Sequence, residues 1–282
     1  MEIGNSHLIA ALASTPWCLQ STMFSTFETV LNNKYTLGLN VTELNAAQAQ
    51  AQGSNLGSIR KSDSRKGVIF MEGTLLKRAY LANPMSSPKT LDDIQNELRV
   101  AANDPEVDTI VLAIDSPGGQ LPGTAETAEL ISKIGQSKPV IGYGNGNICS
   151  AAYWIASACT ELYASHTTCI GSIGVYMAHI SQAKELEAKG LKVTVIKAGK
   201  YKAIGNSASD LSKEDIEFMQ SKINNTYELF MGDVAKYRGV DLEIVRNEWA
   251  DARLFTGQEA VKAGLIDGIC SFDDILTNDW TD

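Results

Sequence analysis

The amino-acid sequence predicts an α/β fold, in which helices cover the faces of a β-sheet. From Gly67 onward, short apolar runs typical of buried strands alternate with amphipathic stretches. These stretches are long enough for the crossover helices that parallel strands require. In such a fold the functional groups are expected on loops that leave the strand ends.

The chain before Gly67 follows a different pattern. Apolar residues at helical spacing over residues 14–30 predict a small helical segment. Residues 45–64 are rich in Ala, Gln, Gly and Ser, which predicts a flexible linker. We therefore expect an N-terminal helical segment and linker over residues 1–66, followed by one folded domain over residues 67–282.

Within that domain the apolar runs predict five strands, and the stretches between them predict two crossover helices. The strands are expected at Val68–Phe70, Thr109–Ile114, Val140–Tyr143, Leu162–Ala164 and Val193–Ile196. The helices are expected at Leu91–Ala102 and Gly123–Ile134. Residues 242–275 are predicted to form helices with one short strand.

The composition limits the classes of function. With 44% hydrophobic and 20% charged residues, the 282-residue chain resembles an ordinary soluble protein with a sizeable core. A net charge of −9 argues against nonspecific nucleic-acid binding, which needs clustered Lys and Arg. The one basic cluster, Arg60-Lys61 with Arg65-Lys66, lies in the predicted linker and is interpreted as solvated.

The cysteines and the N-terminus indicate an intracellular protein without a membrane anchor. The 5 cysteines have no CxxC spacing, so neither a disulfide framework nor a zinc site is indicated, and a reducing compartment fits best. The apolar stretch at residues 8–13 is much shorter than the ~20 residues that cross a bilayer. It also lacks the basic segment of a signal peptide.

The first candidate motif is Ile114-Asp115-Ser116-Pro117-Gly118-Gly119, between a predicted strand and a predicted helix. The paired glycines can turn the backbone sharply and direct N–H groups outward, where they could hold an oxyanion. A simple strand-to-helix turn is the alternative, and the motif alone favours it.

The second candidate is Ser150, which follows a glycine-rich loop and begins a helix of small residues. A serine at this position is usually an N-cap, and by itself that interpretation is favoured. The same position would also suit a nucleophile. The segment is neither a phosphate loop nor a GxSxG elbow, because Ile148 and Ala152 stand where the elbow has glycines.

A serine nucleophile needs a base. The histidines are His7, His166 and His179, and a lone histidine is more often structural, although the last two remain conceivable bases. The alternative is a lysine whose pKa is depressed by burial, so that its neutral amine accepts the serine proton. Lys200 and Lys202 are the candidates, and both could instead be solvated loop lysines.

Six segments, taken in order, resemble the signal peptide peptidase A family (S49) of Ser-Lys serine proteases, and within it the phage head maturation (prohead) proteases. They are IDSPGG at 114–119, SAAYWIASA at 150–158, IGSIGV at 170–175, AGKYKAIGN at 198–206, YELF at 227–230 and RLFTGQEAVKAGLID at 253–267.

This resemblance implies a role for each matching residue. Ser150 is the implied nucleophile and Lys202 the implied general base. The backbone at Gly118 and Gly119 supplies the oxyanion donors, and Ser172 is a possible helper near the lysine. Lys200 does not match the family's lysine position and is assigned no role.

The resemblance also implies a ClpP/crotonase-like fold of stacked ββα units and homo-oligomers whose subunits share active sites. No metal or organic cofactor is expected. The implied substrate is a scaffold or capsid protein, cut in the host cytoplasm inside a procapsid. The alternatives are a bacterial signal peptide peptidase-like housekeeping protease, a noncatalytic assembly module and a crotonase-like acyl-CoA enzyme, although no basic cluster for CoA phosphates is evident.

Overall fold

The computed structural model of the chain describes residues 16–20, 60–61, 65–77 and 89–277. The described strands are β1 (Trp17–Leu19), β2 (Arg60–Lys61), β3 (Lys66–Glu72), β4 (Thr109–Ser116), β5 (Gly118–Gln120), β6 (Val140–Cys149), β7 (Glu161–Ala164), β8 (Cys169–Gly171), β9 (Leu254–Phe255) and β10 (Gly268–Ile269). The described helices are α1 (Leu91–Asn103), α2 (Thr124–Gly135), α3 (Ala151–Ala156), α4 (Ala183–Ala188), α5 (Lys213–Arg238), α6 (Leu242–Ile244), α7 (Gly257–Ala263) and α8 (Phe272–Thr277). A π-helical turn, Val245–Trp249, follows α6 directly.

Most of these strands form one sheet. Six of its eight strands lie in the order β10-β7-β6-β4-β3-β2, and β8 and β9 continue from β6. The pairs β3/β4, β4/β6, β6/β7, β6/β8 and β7/β10 are parallel, whereas β2/β3 and β8/β9 are antiparallel. The first half of β6 pairs with β7 and its second half with β8, so the sheet divides along β6. The predicted α/β class is confirmed.

The strands that the apolar runs predicted lie at the centre of this sheet. Residues 109–114 of β4 are all buried, as expected for a parallel strand covered on both faces. The predictions at Val68–Phe70, Val140–Tyr143 and Leu162–Ala164 are likewise confirmed, within strands that extend one or more residues further.

Both predicted crossover helices are confirmed. Thr90 caps α1 through a capping box with Asp93, and the helix buries Leu91, Ile94 and Leu98, which share one face. Gly123 precedes α2 with φ 92°, a left-handed conformation that glycine adopts without strain. Helix α1 lies between β3 and β4 in the chain, and α2 lies between β5 and β6. These packed helices support the ends of β4 and β6, where the candidate motifs at residues 114–119 and at Ser150 lie.

The strand predicted at Val193–Ile196 is wrong. Residues 191–197 form no strand, and Val193, Val195 and Ile196 are exposed, the last at 95%. Alternating apolar residues make a strand only where a neighbouring strand accepts the backbone hydrogen bonds. Among the described residues, the backbone from Lys192 to Ile196 makes no such bond.

The helix predicted over residues 14–30 is wrong at the residues of that range that the structure describes. Trp17–Leu19 is strand β1, which pairs with β5, and Trp17 also pairs with Tyr176. The other residues of the range lie outside the described residues, as does most of the predicted linker. At the C-terminal end, residues 242–275 contain helices with two short strands, β9 and β10, where one was predicted.

The chain divides into two compact units. One comprises Cys18–Gly174 and Phe230–Asp282 and contains the sheet core. The other comprises Met1–Trp17 and Val175–Leu229, and no residue from 175 to 229 is buried. Among the helices described in either unit, none combines the length and apolar character needed to cross a bilayer.

Candidate active site

Ser150 occupies the junction between β6 and α3 in an uncommon backbone conformation. Its φ is 54° and its ψ −117°, and the residue is fully buried. The Ser150 N–H donates to the carbonyl of Gly171 at 2.7 Å, and its carbonyl accepts from the N–H of Trp154 at 2.9 Å. Positive φ at a residue with a Cβ is strained, and strained residues cluster at functional sites.

The Ser150 hydroxyl does not cap α3. Although the residue holds the N-cap position, its side chain makes no capping hydrogen bond. Its one hydrogen bond within the described residues is long, 3.4 Å from Oγ to the carbonyl of Gly174. The capping interpretation, which the sequence alone favoured, is therefore wrong. The sharp strand-to-helix turn resembles a nucleophile elbow without the flanking glycines.

Helix α3, which begins directly after Ser150, is fixed in place by buried contacts. All six of its residues are buried. The indole N–H of Trp154 donates to Asp233 at 3.0 Å, and the indole ring stacks on Phe230 with centroids 4.5 Å apart. The Tyr153 hydroxyl donates to the carbonyl of Leu265 at 2.9 Å, and burial raises the pKa of this phenol. These contacts fix the turn that presents Ser150.

The Ser116–Gly119 segment lies directly against Ser150. A Cβ built on Gly118, whose φ is 101°, would lie 3.0 Å from the Ser150 Cβ and 2.9 Å from the carbonyl of Cys149. A Cβ on Gly119 would lie 2.0 Å from the carbonyl of Leu75. Only glycine fits at either position. The Gly118 N–H donates to the hydroxyl of Ser116 at 3.2 Å, so in this structure that amide already has a partner.

Ser172 lies beside the same turn. It follows strand β8, in which Gly171 is registered opposite Cys149, the residue before Ser150. Ser172 is buried with φ 52°, and its N–H donates to the carbonyl of Arg253 at 2.8 Å. Within the described residues its hydroxyl makes no hydrogen bond. The fold thus brings Ser150, the glycine pair and Ser172 together.

Lys202 lies in the other unit, in a run of turns before α5. Its N–H donates to the carbonyl of Gly199 at 3.2 Å. The side chain is exposed, and among the described residues its ammonium makes no hydrogen bond or ion pair. The described residues therefore do not supply the burial that the sequence argument expected around this amine.

Lys200 differs from Lys202 in having an acidic partner. Its ammonium pairs with the carboxylate of Glu214, and this hydrogen bond raises the pKa of Lys200. A raised pKa is the opposite of what a general base of the amine type requires. The structure therefore does not favour a catalytic role for Lys200, and it gives no reason to prefer Lys200 over Lys202 as the candidate base.

The histidines offer little support for a Ser-His pair. His7 lies outside the described residues, and His166 is exposed. His179 lies in the same unit as Lys202, and its Nε2 is 3.2 Å from the carbonyl oxygen of Asn206. Because a carbonyl only accepts, this nitrogen is the donor and cannot also accept a serine proton.

Cys149, the neighbour of Ser150, is not a competing nucleophile. Burial raises the pKa of its thiol to about 12, and the thiolate is the reactive form. The thiol donates to the carbonyl of Cys169 at 3.3 Å. No group of three or more His, Cys, Asp or Glu side chains that could hold a metal ion occurs in the described part of the chain.

Sequence reasoning missed the groups that hold the turn. The Gly174 carbonyl, Phe230 and Asp233 contact Ser150 or its helix from distant parts of the chain. No local pattern points to Asp233, because its partner is an indole N–H 79 positions away. Gly174 lies within the segment IGSIGV and Phe230 within YELF, and the family resemblance rests on both segments but assigns neither residue a role.

Comparison with known proteins relates the chain to a peptidase family. The sequence model of peptidase family S49 matches residues 133–279. The chain is 35% identical over 210 residues to "Capsid assembly protease C" of Escherichia phage lambda, covering 74% of this chain and 47% of that protein. It is 32% identical over 288 residues to "Head-tail preconnector protein GP5" of Enterobacteria phage P21, covering 96% of this chain and 56% of that protein.

A bacterial relative extends the comparison. "Putative signal peptide peptidase SppA" of Enterococcus faecium is 30% identical over 181 residues, which is 64% of this chain and 52% of that protein. The chain thus spans about half the length of each of the relatives described.

Proposed function

Because the chain belongs to peptidase family S49, we propose that it is a serine endopeptidase in which Ser150 is the nucleophile and Lys202 the general base. The observation that carries the proposal is the Ser150 turn. Ser150 lies in a strained strand-to-helix junction, its hydroxyl does not cap the helix, and its Cβ lies close to Gly118, where a built Cβ would be 3.0 Å away. This arrangement has no evident structural use, but it suits a nucleophile beside an oxyanion site.

The proposed cycle transfers one acyl group and passes one proton through Lys202 in each of its two halves. The neutral amine of Lys202 accepts the Ser150 proton as Oγ attacks a peptide carbonyl. The Gly118 and Gly119 amides stabilise the oxyanion, for which the Gly118 N–H must leave Ser116. The Lys202 ammonium then protonates the departing amine. Lys202 then deprotonates a water molecule, which attacks the acyl carbonyl. The bond between Ser150 Oγ and the acyl group breaks, the carboxylic acid departs, and the Lys202 ammonium returns the proton to Oγ.

We propose that the domain at residues 67–282 has the ClpP/crotonase-like fold that the family implies. We also propose that the chain forms homo-oligomers in which neighbouring subunits complete the active site. Residues 175–229, which carry Lys202, support this assignment because none of them is buried. Exposed apolar side chains in this segment favour contact with another protein surface. These side chains are Ile180, Leu191, Val193, Val195, Ile196, Ile216 and Leu229.

The proposed substrate is an unstructured region of a scaffold or capsid protein, cut in the host cytoplasm during head maturation. The names of the two phage relatives, a capsid assembly protease and a head-tail preconnector protein, support this substrate. The bacterial relative named a signal peptide peptidase supports a second candidate, a housekeeping peptidase. A noncatalytic assembly module would have no need of Ser150.

Mass spectrometry of candidate scaffold and capsid proteins, and of labelled β-casein, tests the function. Wild type and Ser150→Ala are incubated with each protein. Ser137→Ala is the matched control, because it removes a hydroxyl that bonds only the carbonyl of Ile134. We expect products with wild type and the control alone. Products with Ser150→Ala would contradict the nucleophile, and casein cleavage with intact phage proteins would favour the housekeeping role.

A further inference from the structure

The residue before Lys202 is attached to helix α5. The ring of Tyr201 stacks on the ring of Phe218, with centroids 3.9 Å apart and planes 12° from parallel. The next residue back, Lys200, pairs with Glu214. Glu214 and Phe218 are four positions apart and therefore lie on one face of the helix, a turn apart. A single face of α5 thus meets the turns that carry Lys202.

The ring stack is the stronger of these two contacts. Both side chains of the Lys200–Glu214 pair are more than half exposed, and ion pairs of this kind contribute little. A stacked aromatic pair contributes beyond its buried area and has a preferred geometry. The stack between Tyr201 and Phe218 is therefore the contact able to fix the turn.

Lys202 itself depends on the position of this turn. Within the described residues its side chain has no partner, and its backbone N–H makes a single 3.2 Å bond to Gly199. Because no side-chain contact among the described residues fixes its amine, the region that the amine can reach is set by the backbone position. Small misplacements of a catalytic group reduce rates strongly.

We propose that Tyr201 and Phe218 are positioning residues, whose stacked rings hold the turn so that Lys202 presents an uncommitted amine for proton transfer. This inference rests on the proposed role of Lys202 as the base. Neither ring is assigned contact with the substrate. The stack acts on the rate through the lysine alone.

Phe218→Leu tests the stack, because leucine keeps an apolar side chain but removes the ring. With labelled β-casein we expect kcat to fall about 2-fold to 10-fold, the range that corresponds to measured aromatic pairs, with KM unchanged. Phe218→Tyr can still stack and should keep the wild-type kcat. Tyr201→Leu should cost a similar factor, and the double variant should cost little more than either single one.

Lys222→Gln is the matched control. The Lys222 ammonium lies 5.2 Å from the centre of the Phe218 ring on the same helix, so this change alters the surroundings of the ring but not the stack. Its kcat should equal that of wild type. A fall as large as that of Phe218→Leu would show that kcat follows any change at this face and would overturn the proposal.

Hydrogen exchange of the full chain gives a readout that does not need turnover. The Lys202 and Ile204 amides donate within the turns, each at 3.2 Å. The peptide covering residues 199–206 should exchange faster in Phe218→Leu and at the wild-type rate in Phe218→Tyr. Unchanged exchange in Phe218→Leu would overturn the proposal whether or not casein is cleaved. If Phe218→Leu lowered the thermal midpoint of unfolding but left kcat unchanged, the stack would be merely structural and the proposal would also be overturned.

Lys202→Arg, measured in the same series, separates the two proposals. If Lys202→Arg retains full activity, the base assignment fails, and with it the reason for positioning. If Lys202→Arg is inactive while Phe218→Leu keeps wild-type kcat, the base stands and the positioning role fails. Loss of activity in both, with recovery in Phe218→Tyr, supports both.

Discussion

Ser150 and Ser172 share a backbone feature that links conformation to chemistry. Both have φ near 50°, although neither is glycine, and both stand where a strand ends. Such residues cost on the order of 1–3 kcal/mol each and persist because surrounding contacts determine them. At Ser150 those contacts come from Gly171 and Trp154 on the backbone. At Ser150 the strain therefore accompanies a hydroxyl whose one hydrogen bond within the described residues, to the carbonyl of Gly174, is long at 3.4 Å.

Replacing Ser150 by glycine should separate stability from activity. Ser150→Gly removes the Cβ that opposes positive φ, so we expect a thermal midpoint higher by roughly 2 °C, whereas Ser150→Ala should be near neutral. Both should be inactive. Calorimetry at one protein concentration measures the shift. Ser157→Gly is the contrasting control. Ser157 has a helical φ of −59°, so glycine relieves no strain there and this variant should be less stable than wild type. A lower midpoint for Ser150→Gly would contradict the strain.

The two lysines before α5 should respond oppositely to arginine. Lys202→Arg should be inactive, because arginine is effectively never deprotonated and cannot accept a proton. Lys200→Arg should stay active, since arginine can keep the ion pair with Glu214. Rates of casein cleavage measure both variants. An active Lys202→Arg together with an inactive His179→Ala would favour a Ser-His mechanism.

At the scale of elements, the short helix α3 depends on its neighbours rather than on its own length. Six residues form too few hydrogen bonds to be stable alone. Trp154 supplies the missing stabilisation through its stack on Phe230 and its bond to Asp233, both from the C-terminal part of α5. The presentation of Ser150 therefore depends on an element far along the chain.

Asp233→Ala tests this dependence. It leaves the buried indole N–H of Trp154 without its partner, which should lower the free energy of unfolding by about 1–3 kcal/mol. Asp233→Asn keeps an acceptor oxygen and should cost less. Thermal unfolding and casein cleavage measure both variants. Equal stability of Asp233→Ala and wild type would mean that the stack alone holds α3.

At the scale of the whole molecule, burial is distributed unevenly. The sheet core is densely covered, whereas residues 175–229 contain no buried residue and include Ile196 at 95% exposure. These exposed apolar side chains are the observation behind the interaction surface proposed above. A second copy of the chain is the partner proposed above, and it would also supply surroundings for Lys202.

Ile196→Asp should weaken assembly. A charge in an apolar interface is costly, so we expect a smaller species by sedimentation and a fall in specific activity on dilution. Val100→Asp is the matched control, because Val100 is an exposed apolar residue of α1, outside residues 175–229. Mixed Ser150→Ala and Lys202→Ala chains should regain partial activity if subunits share sites. Unchanged assembly by Ile196→Asp would contradict this surface.

The local sequence pattern predicted an element correctly where the residues of that element alone determine its structure. The runs at Thr109–Ile114 and Val140–Tyr143 predicted strands correctly, because buried parallel strands are apolar throughout. The pattern failed at Val193–Ile196 and Trp17–Leu19, because strand formation depends on a partner that lies far away in sequence. Helix α1 was predictable, since its cap and its apolar face are both local.

The sequence by itself determined the α/β class, the central strands and the family, because the motifs and their order are written in the chain. Only the tertiary structure decided that Ser150 does not cap its helix and that Gly118 lies against it. It also separated Lys200, which pairs with Glu214, from Lys202, whose side chain makes no pair with any residue that the structure describes. The reason is physical: backbone angles, close approaches and ion pairs depend on residues distant in sequence, which no local pattern specifies.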